Sequence, residues 1–275
     1  MKNLEATLPA SVRPTENPRW ITVLARVGLI AKGVSYVIVA ILALRLAFGD
    51  GGKATSRQGA LATLADEGFG KVLLIGLALG FACYALWRFA DALFGRRGHD
   101  DDGASGIAKR LGYAGRGAVY VALTYSTVRL LTRSGGQESQ NTKAKKTTSA
   151  VLDWPAGTWL VGLVGLVLIG VGLYNGYRGV TKKFLEQWNK SDEARPWATR
   201  IGVVGLLARA VVFGLIGIFV LKAAIEYDPK EAIGLDGALQ KVANASHGPW
   251  LLGLVAVGLL AYGVFCFAEA RYREV

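Results

Sequence analysis

Acidic side chains, histidine and cysteine are scarce in this 275-residue chain, and scarcest where chemistry would need them. The two histidines, His99 and His247, both sit in polar segments between apolar runs, so no His-Glu-x-x-His zinc helix is present. The two cysteines, Cys83 and Cys266, lie inside apolar runs at unmatched places. They form no metal or redox spacing and read as buried small hydrophobes. Carboxylates in the apolar runs stay near the ends, at Asp91, Glu226 and Glu269, with no His, Ser or Cys beside them as a catalytic set requires. Charged residues make up only 19% of the chain, against about 25% in a soluble domain. The sequence therefore predicts a protein that is not an enzyme, with no cofactor and no metal. Basic stretches interleaved with stacking aromatics are also missing, so the net charge of +12 does not point to nucleic acid.

What is abundant is apolar: 52% of the residues, in long runs without two-residue alternation. A membrane β-barrel needs that alternation, so helices are left as the way to satisfy the backbone in lipid. Six spans are expected, at residues 20–48, 69–94, 107–131, 156–180, 197–225 and 248–270. Each reaches the roughly 20 residues that cross about 30 Å of hydrocarbon. The stretch from Trp20 is too long for a signal-peptide core and is expected to stay as the first span.

The spans repeat in pairs. Gly28, Lys32, Gly33, Tyr36 and Arg45 in the first match Gly112, Arg116, Gly117, Tyr120 and Arg129 in the third. The fifth carries Gly205, Arg209, Ala210, Phe213 and Lys222 at the same intervals. Among the even spans, Gly70, Gly80, Tyr84 and Trp87 match Gly248, Gly258, Tyr262 and Phe265, and the middle copy keeps Gly170, Tyr174, Tyr177 and Arg178, the last equivalent to Arg88. The organisation expected is a polar tail at 1–19 and repeats at 20–95, 107–190 and 197–275. A two-span unit repeated three times enters the membrane in one orientation each time. The fold class expected is all-α, a polytopic membrane protein of six transmembrane helices in three parallel two-helix repeats with a pseudo-threefold arrangement. Fourteen Lys and Arg flank the spans on the side of the N-terminus and nine on the other, which favours both termini in the cytoplasm. Between the spans, 59–65 and 237–243 read as short helices on the outer surface, and 133–149 as a polar loop.

This pattern, one helix opening Arg26-x-Gly28-x-x-x-Lys32-Gly33 and a second ending Tyr84-x-x-Trp87-Arg88, resembles a bacterial membrane-protein family, domain-of-unknown-function family 1206. Arg110, Gly112, Arg116, Gly117, Tyr174, Tyr177 and Arg178 carry it in the middle copy, while the third has Val203 and Cys266 where Arg would stand. The resemblance implies three tandem copies in the bacterial inner (plasma) membrane and brings no catalytic residues.

The matched cations carry the functional question. Lys32 and Arg45, Arg116 and Arg129, and Arg209 and Lys222 are each thirteen steps apart, about 20 Å of helix. Side chains reaching outward would take both heads to the membrane interfaces. Arg45, Arg129, Lys222, Arg88 and Arg178 are read as such interface anchors. Lys32, Arg116 and Arg209 stay open between two roles: anchors, or a site for an anion or anionic lipid inside the bundle. Heads farther apart than about two Debye lengths, roughly 16 Å, could not form one site. Arg88 with Asp91 and Lys222 with Glu226 are spaced to pair along a helix. Gly76-x-x-x-Gly80 and Gly172-x-x-x-Gly176 are spaced for close helix approach. The function expected is a membrane scaffold or partner protein engaging anionic headgroups of the bilayer, with another membrane protein as a further partner class. The alternative is an anion or small-solute transporter using the three cations as a ring.

Overall fold

The computed structural model describes residues 19–48, 70–94, 104–132, 140–188 and 196–273. Among these, eight α-helices follow one another: α1 (Arg19–Phe48), α2 (Gly70–Phe94), α3 (Ala104–Thr132), α4 (Gln140–Leu152), α5 (Gly157–Val180), α6 (Pro196–Ile225), α7 (Leu235–Ala243) and α8 (Gly248–Tyr272). Short 3-10 turns stand at Lys183–Gln187 and Pro229–Glu231. No strand occurs among the described residues, apart from an isolated bridge between Trp188 and Arg273.

Five of these helices, α1, α2, α5, α6 and α8, are long and apolar enough to cross a membrane. The remaining predicted span, the third in order at 107–131, is also helical throughout, as part of α3, but it does not reach the same apolarity. Lys109, Arg110, Arg116 and Arg129 and a run of Tyr, Ser and Thr dilute it. Much of the tail and the helix expected at 59–65 lie outside the described residues. The expected helix at 237–243 is present as α7. The middle loop differs from expectation, because Gln140–Leu152 is a helix. Its polarity hides the reason. α4 is ordered by what it docks on: Asp236 of α7 accepts from the Asn141 backbone N–H at 3.2 Å, and the Tyr227 hydroxyl donates to the Leu152 carbonyl at 2.8 Å. α4 and α7 lead into their spans alike. A Cβ on Gly157 would run into the Val151 carbonyl, and one on Gly248 into the Ala243 carbonyl.

Lipid tails are as apolar as leucine, so helix association in a bilayer rests on close packing of small residues. The extensive contacts run α3 to α2, α2 to α1, α1 to α8, α8 to α6 and α6 to α5, and no comparable packing joins α5 back to α3 among the described residues. Matched residues make matched contacts along this row. A Cβ on Gly28 would lie 2.6 Å from Tyr84 Cβ, and one on Gly205 2.6 Å from the Tyr262 backbone. Gly33 lies against Phe267, and Gly117 against Phe89. Gly80 packs on Ala31 and Gly258 on Ala208. Of the glycine pairs singled out by spacing, Gly80 and Gly172 meet a neighbouring helix closely, Gly176 only at ordinary contact distance, and Gly76 meets nothing within 4 Å. Two large clusters result. One centres on α1, α6 and α8 around Tyr262, Phe265 and Phe184, the other on α1, α2 and α3 around Phe81, Tyr84 and Trp87.

Candidate anion-binding site

Lys32, Arg116 and Arg209 each stand twelve or thirteen residues past the first residue of their helix, about 18–20 Å along it. At that depth the direction of the side chain decides its role. Lys32 turns inward. It is 8% exposed, and its ammonium lies 5.6 Å from the centre of the Tyr84 ring and 5.0 Å from that of Tyr262. Arg209, from α6, reaches the same tyrosine. Its Nη1 donates to the Tyr262 hydroxyl at 2.6 Å, and its guanidinium carbon is 4.5 Å from that ring's centre. Sharing one ring keeps the two heads within about 9.5 Å of each other, inside the roughly 16 Å that would separate them into independent charges. Arg116, by contrast, is exposed.

The expected anchors divide. Arg45 and Arg129 are exposed, the latter 5.6 Å from the Tyr125 ring. Lys222 is half-buried and pairs with Glu226 at 3.6 Å, as its spacing predicts, and with Glu231 at 3.1 Å. Exposed pairs contribute little, so Lys222→Ala is expected to shift stability by under about 1 kcal/mol, measurable by thermal denaturation in detergent. Arg88 does not reach outward as an anchor would. It is buried, bonded to Asp91 at 2.9 Å as its spacing predicts and to the Tyr84 hydroxyl at 3.1 Å, and it packs 3.8 Å from the Trp87 ring centre. Arg178 is half-buried beside Tyr174, with a buried Nη2 that has no partner.

Two carboxylates enter this interior. Asp91 pairs with Arg88, and Glu269 pairs with Arg273 at 3.3 Å. Lys32, Arg116, Arg178 and Arg209 have no carboxylate partner among the described residues. Three of them face tyrosines instead: Lys32 meets Tyr84 and Tyr262, Arg209 meets Tyr36 and Tyr262, and Arg178 lies 6.0 Å from the Tyr174 ring centre. The repeat pattern marked these aromatics as matched positions, but gave no sign that they would surround the cations. Lys32 is buried and Arg209 partly so; cations held there without counter-charge are costly, and a bound anion is the direct way to offset that cost. No group of three or more His, Cys, Asp or Glu side chains that could hold a metal occurs among the described residues.

A cavity of about 680 Å³ adjoins Arg209. Arg209 and Tyr36 stand in its wall, with Val119 and Leu123 of α3, Val161, Val164 and Leu168 of α5, and Phe213, Ile216 and Val220 of α6; α4 covers it with Lys143, Thr147 and Val151.

Three segments of the chain, residues 27–95, 111–182 and 204–273, match the model of a Domain of Unknown Function (DUF1206). An uncharacterized protein of Bacillus subtilis (strain 168), YxxB, is 30% identical over 263 residues, 94% of each chain. No solved structure matches.

Proposed function

The chain belongs to the DUF1206 family, and from that membership and its inward-turned cations we propose a non-catalytic membrane protein that holds an anionic lipid headgroup inside its helical bundle. Six spans form three parallel units in pseudo-threefold order about the membrane normal, with α3 as the third span in order. The matched contacts of Gly28 with Tyr84 and Gly205 with Tyr262 support this arrangement, as do those of Gly33 with Phe267 and Gly117 with Phe89. Both termini are cytoplasmic, in the inner membrane of a bacterium. Cysteine labelling at Lys2 and Lys145 is then expected to report opposite sides of the membrane; labelling from one side alone would overturn the six-span arrangement.

The observation that carries the binding role is the shared ring. Lys32 and Arg209 converge on Tyr262 with no carboxylate between them. A charge-assisted contact contributes about 1.5–3 kcal/mol, or about tenfold or more in affinity. Lys32→Gln and Arg209→Gln are therefore each expected to cut retention of phosphatidylglycerol about tenfold, with phosphatidylcholine unaffected, by native mass spectrometry of protein extracted from vesicles of both lipids. Equal retention of the two lipids by the wild type would end this reading. Anion transport is the second reading, favoured by the cavity that runs up to Arg209. Phosphate or chloride flux through proteoliposomes, lost in Arg209→Gln, would replace lipid holding with transport.

A further inference from the structure

The three repeats do not close their own pairs of spans alike. In the first, Gly28 meets the Tyr84 backbone and Gly80 meets Ala31; in the third, Gly205 meets Tyr262 and Gly258 meets Ala208. The matched residues of the middle repeat are Gly112, Gly115 and Gly170, and a Cβ on any of them would meet nothing within 4 Å. The glycines suited to close approach are kept where the approach is not made. The space between α3 and α5 is instead occupied by the cavity, and its wall residues there, Val119 and Val164, are more than half exposed. In a bilayer that opening faces lipid.

The cavity has the dimensions and polarity of a chain chamber. Its volume of about 680 Å³ falls within the roughly 300–1,000 Å³ of small-ligand pockets. Residues 209, 212, 213, 216 and 220 of α6 line it along one helix face, a length of about 16 Å. That face is apolar except at its inner end, where the buried Nε of Arg209 has no partner. With Arg209 at one end and Lys143 of α4 in its wall, this largely apolar trough suits a molecule with one anionic head and one hydrocarbon chain.

We propose that this chamber takes the chain of a single-chain anionic lipid, its head against Arg209, and that the lipid enters sideways through the open seam between α3 and α5. The head rests on the anion-binding role proposed above; the chain's place does not. Closing the seam, with Gly112 against Tyr174 and Gly115 against Gly170 as in the other two repeats, would shut the entrance.

The test is native mass spectrometry of the full chain with palmitoyl-lysophosphatidylglycerol and palmitoyl-lysophosphatidylcholine. One lysophosphatidylglycerol per chain is expected for the wild type. Val164→Trp, which fills the mouth, is expected to lose it by about tenfold or more, and Arg209→Gln to bind both lipids alike. Val119→Trp, on the facing wall, gives the same readout if Val164→Trp does not fold. Chain-brominated lysophosphatidylglycerol is also expected to quench Trp154, which lines the cavity, and the quenching should vanish in Trp154→Phe. A folded Val164→Trp or Val119→Trp that binds as the wild type does, or quenching that survives Trp154→Phe, overturns the chamber and leaves the headgroup role standing. Equal binding of both lipids by the wild type, lost in Val164→Trp, keeps the chamber and overturns the headgroup role.

Discussion

Alanine at Gly28 or Gly205 is expected to lower the thermal stability of the purified protein sharply, whereas alanine at the matched Gly112 leaves it unchanged or slightly higher. At the first two positions the added methyl would lie 2.6 Å from Tyr84 or Tyr262, against backbone as well as side chain, so the helices themselves must separate. Overpacking in a well-filled interior costs about 1–3 kcal/mol, and more where backbone must move. In a bilayer no hydrophobic force between helices is available to offset it. At Gly112 nothing stands within 4 Å, and alanine gains up to about 1 kcal/mol of helix propensity over glycine. The measurement is the temperature at which each variant leaves the monodisperse peak in detergent. Equal damage at all three positions would mean that α3 and α5 pack as the other pairs do, with the seam closed.

Asp91→Asn is expected to destabilise as strongly by another route. Arg88 and Asp91 have side chains only 3% and 11% exposed and are bonded at 2.9 Å. Removing one partner of a buried pair costs about 3–5 kcal/mol, because the remaining charge keeps its desolvation penalty and loses its compensation. Replacing both is far milder, so Arg88→Met with Asp91→Leu should recover most of the loss. Thermal denaturation of Arg88→Met, Asp91→Leu and the double variant forms a double-mutant cycle. Additive losses would show that the two side chains do not depend on each other.

The helices were legible because length and apolarity alone demand them, and because the repeat let weak signals in one copy be read from another. α4 was not legible. Its sequence is polar, and its helical state comes from docking on α7 and on the turn before it, a relation between residues almost a hundred positions apart. The cations that matter were found by their matched spacing, but their direction was not. A lysine thirteen residues into a helix has the same sequence context whether it points to lipid or to Tyr262. Packing decides, and packing is not periodic. The open seam was hidden for a related reason: three similar units predict three similar interfaces, and only the assembled bundle shows which one is left unmade.

The row of contacts also fixes an order in which the protein can be built. α1 is made before the other seven described helices, yet one of its main partners is α8, the last of the eight. Until α8 arrives, the side of α1 that carries Gly33, Val37 and Tyr36 has no neighbour from α8. α1, α2 and α3 can associate early, because they are neighbours in sequence and in space. α5 finds its closest partner as soon as α6 is made. The two halves join when α8 inserts between α1 and α6, so a chain interrupted before residue 248 holds two helical groups without the helix that joins them. Among the described helices, the row of contacts is therefore complete only once α8 has been made.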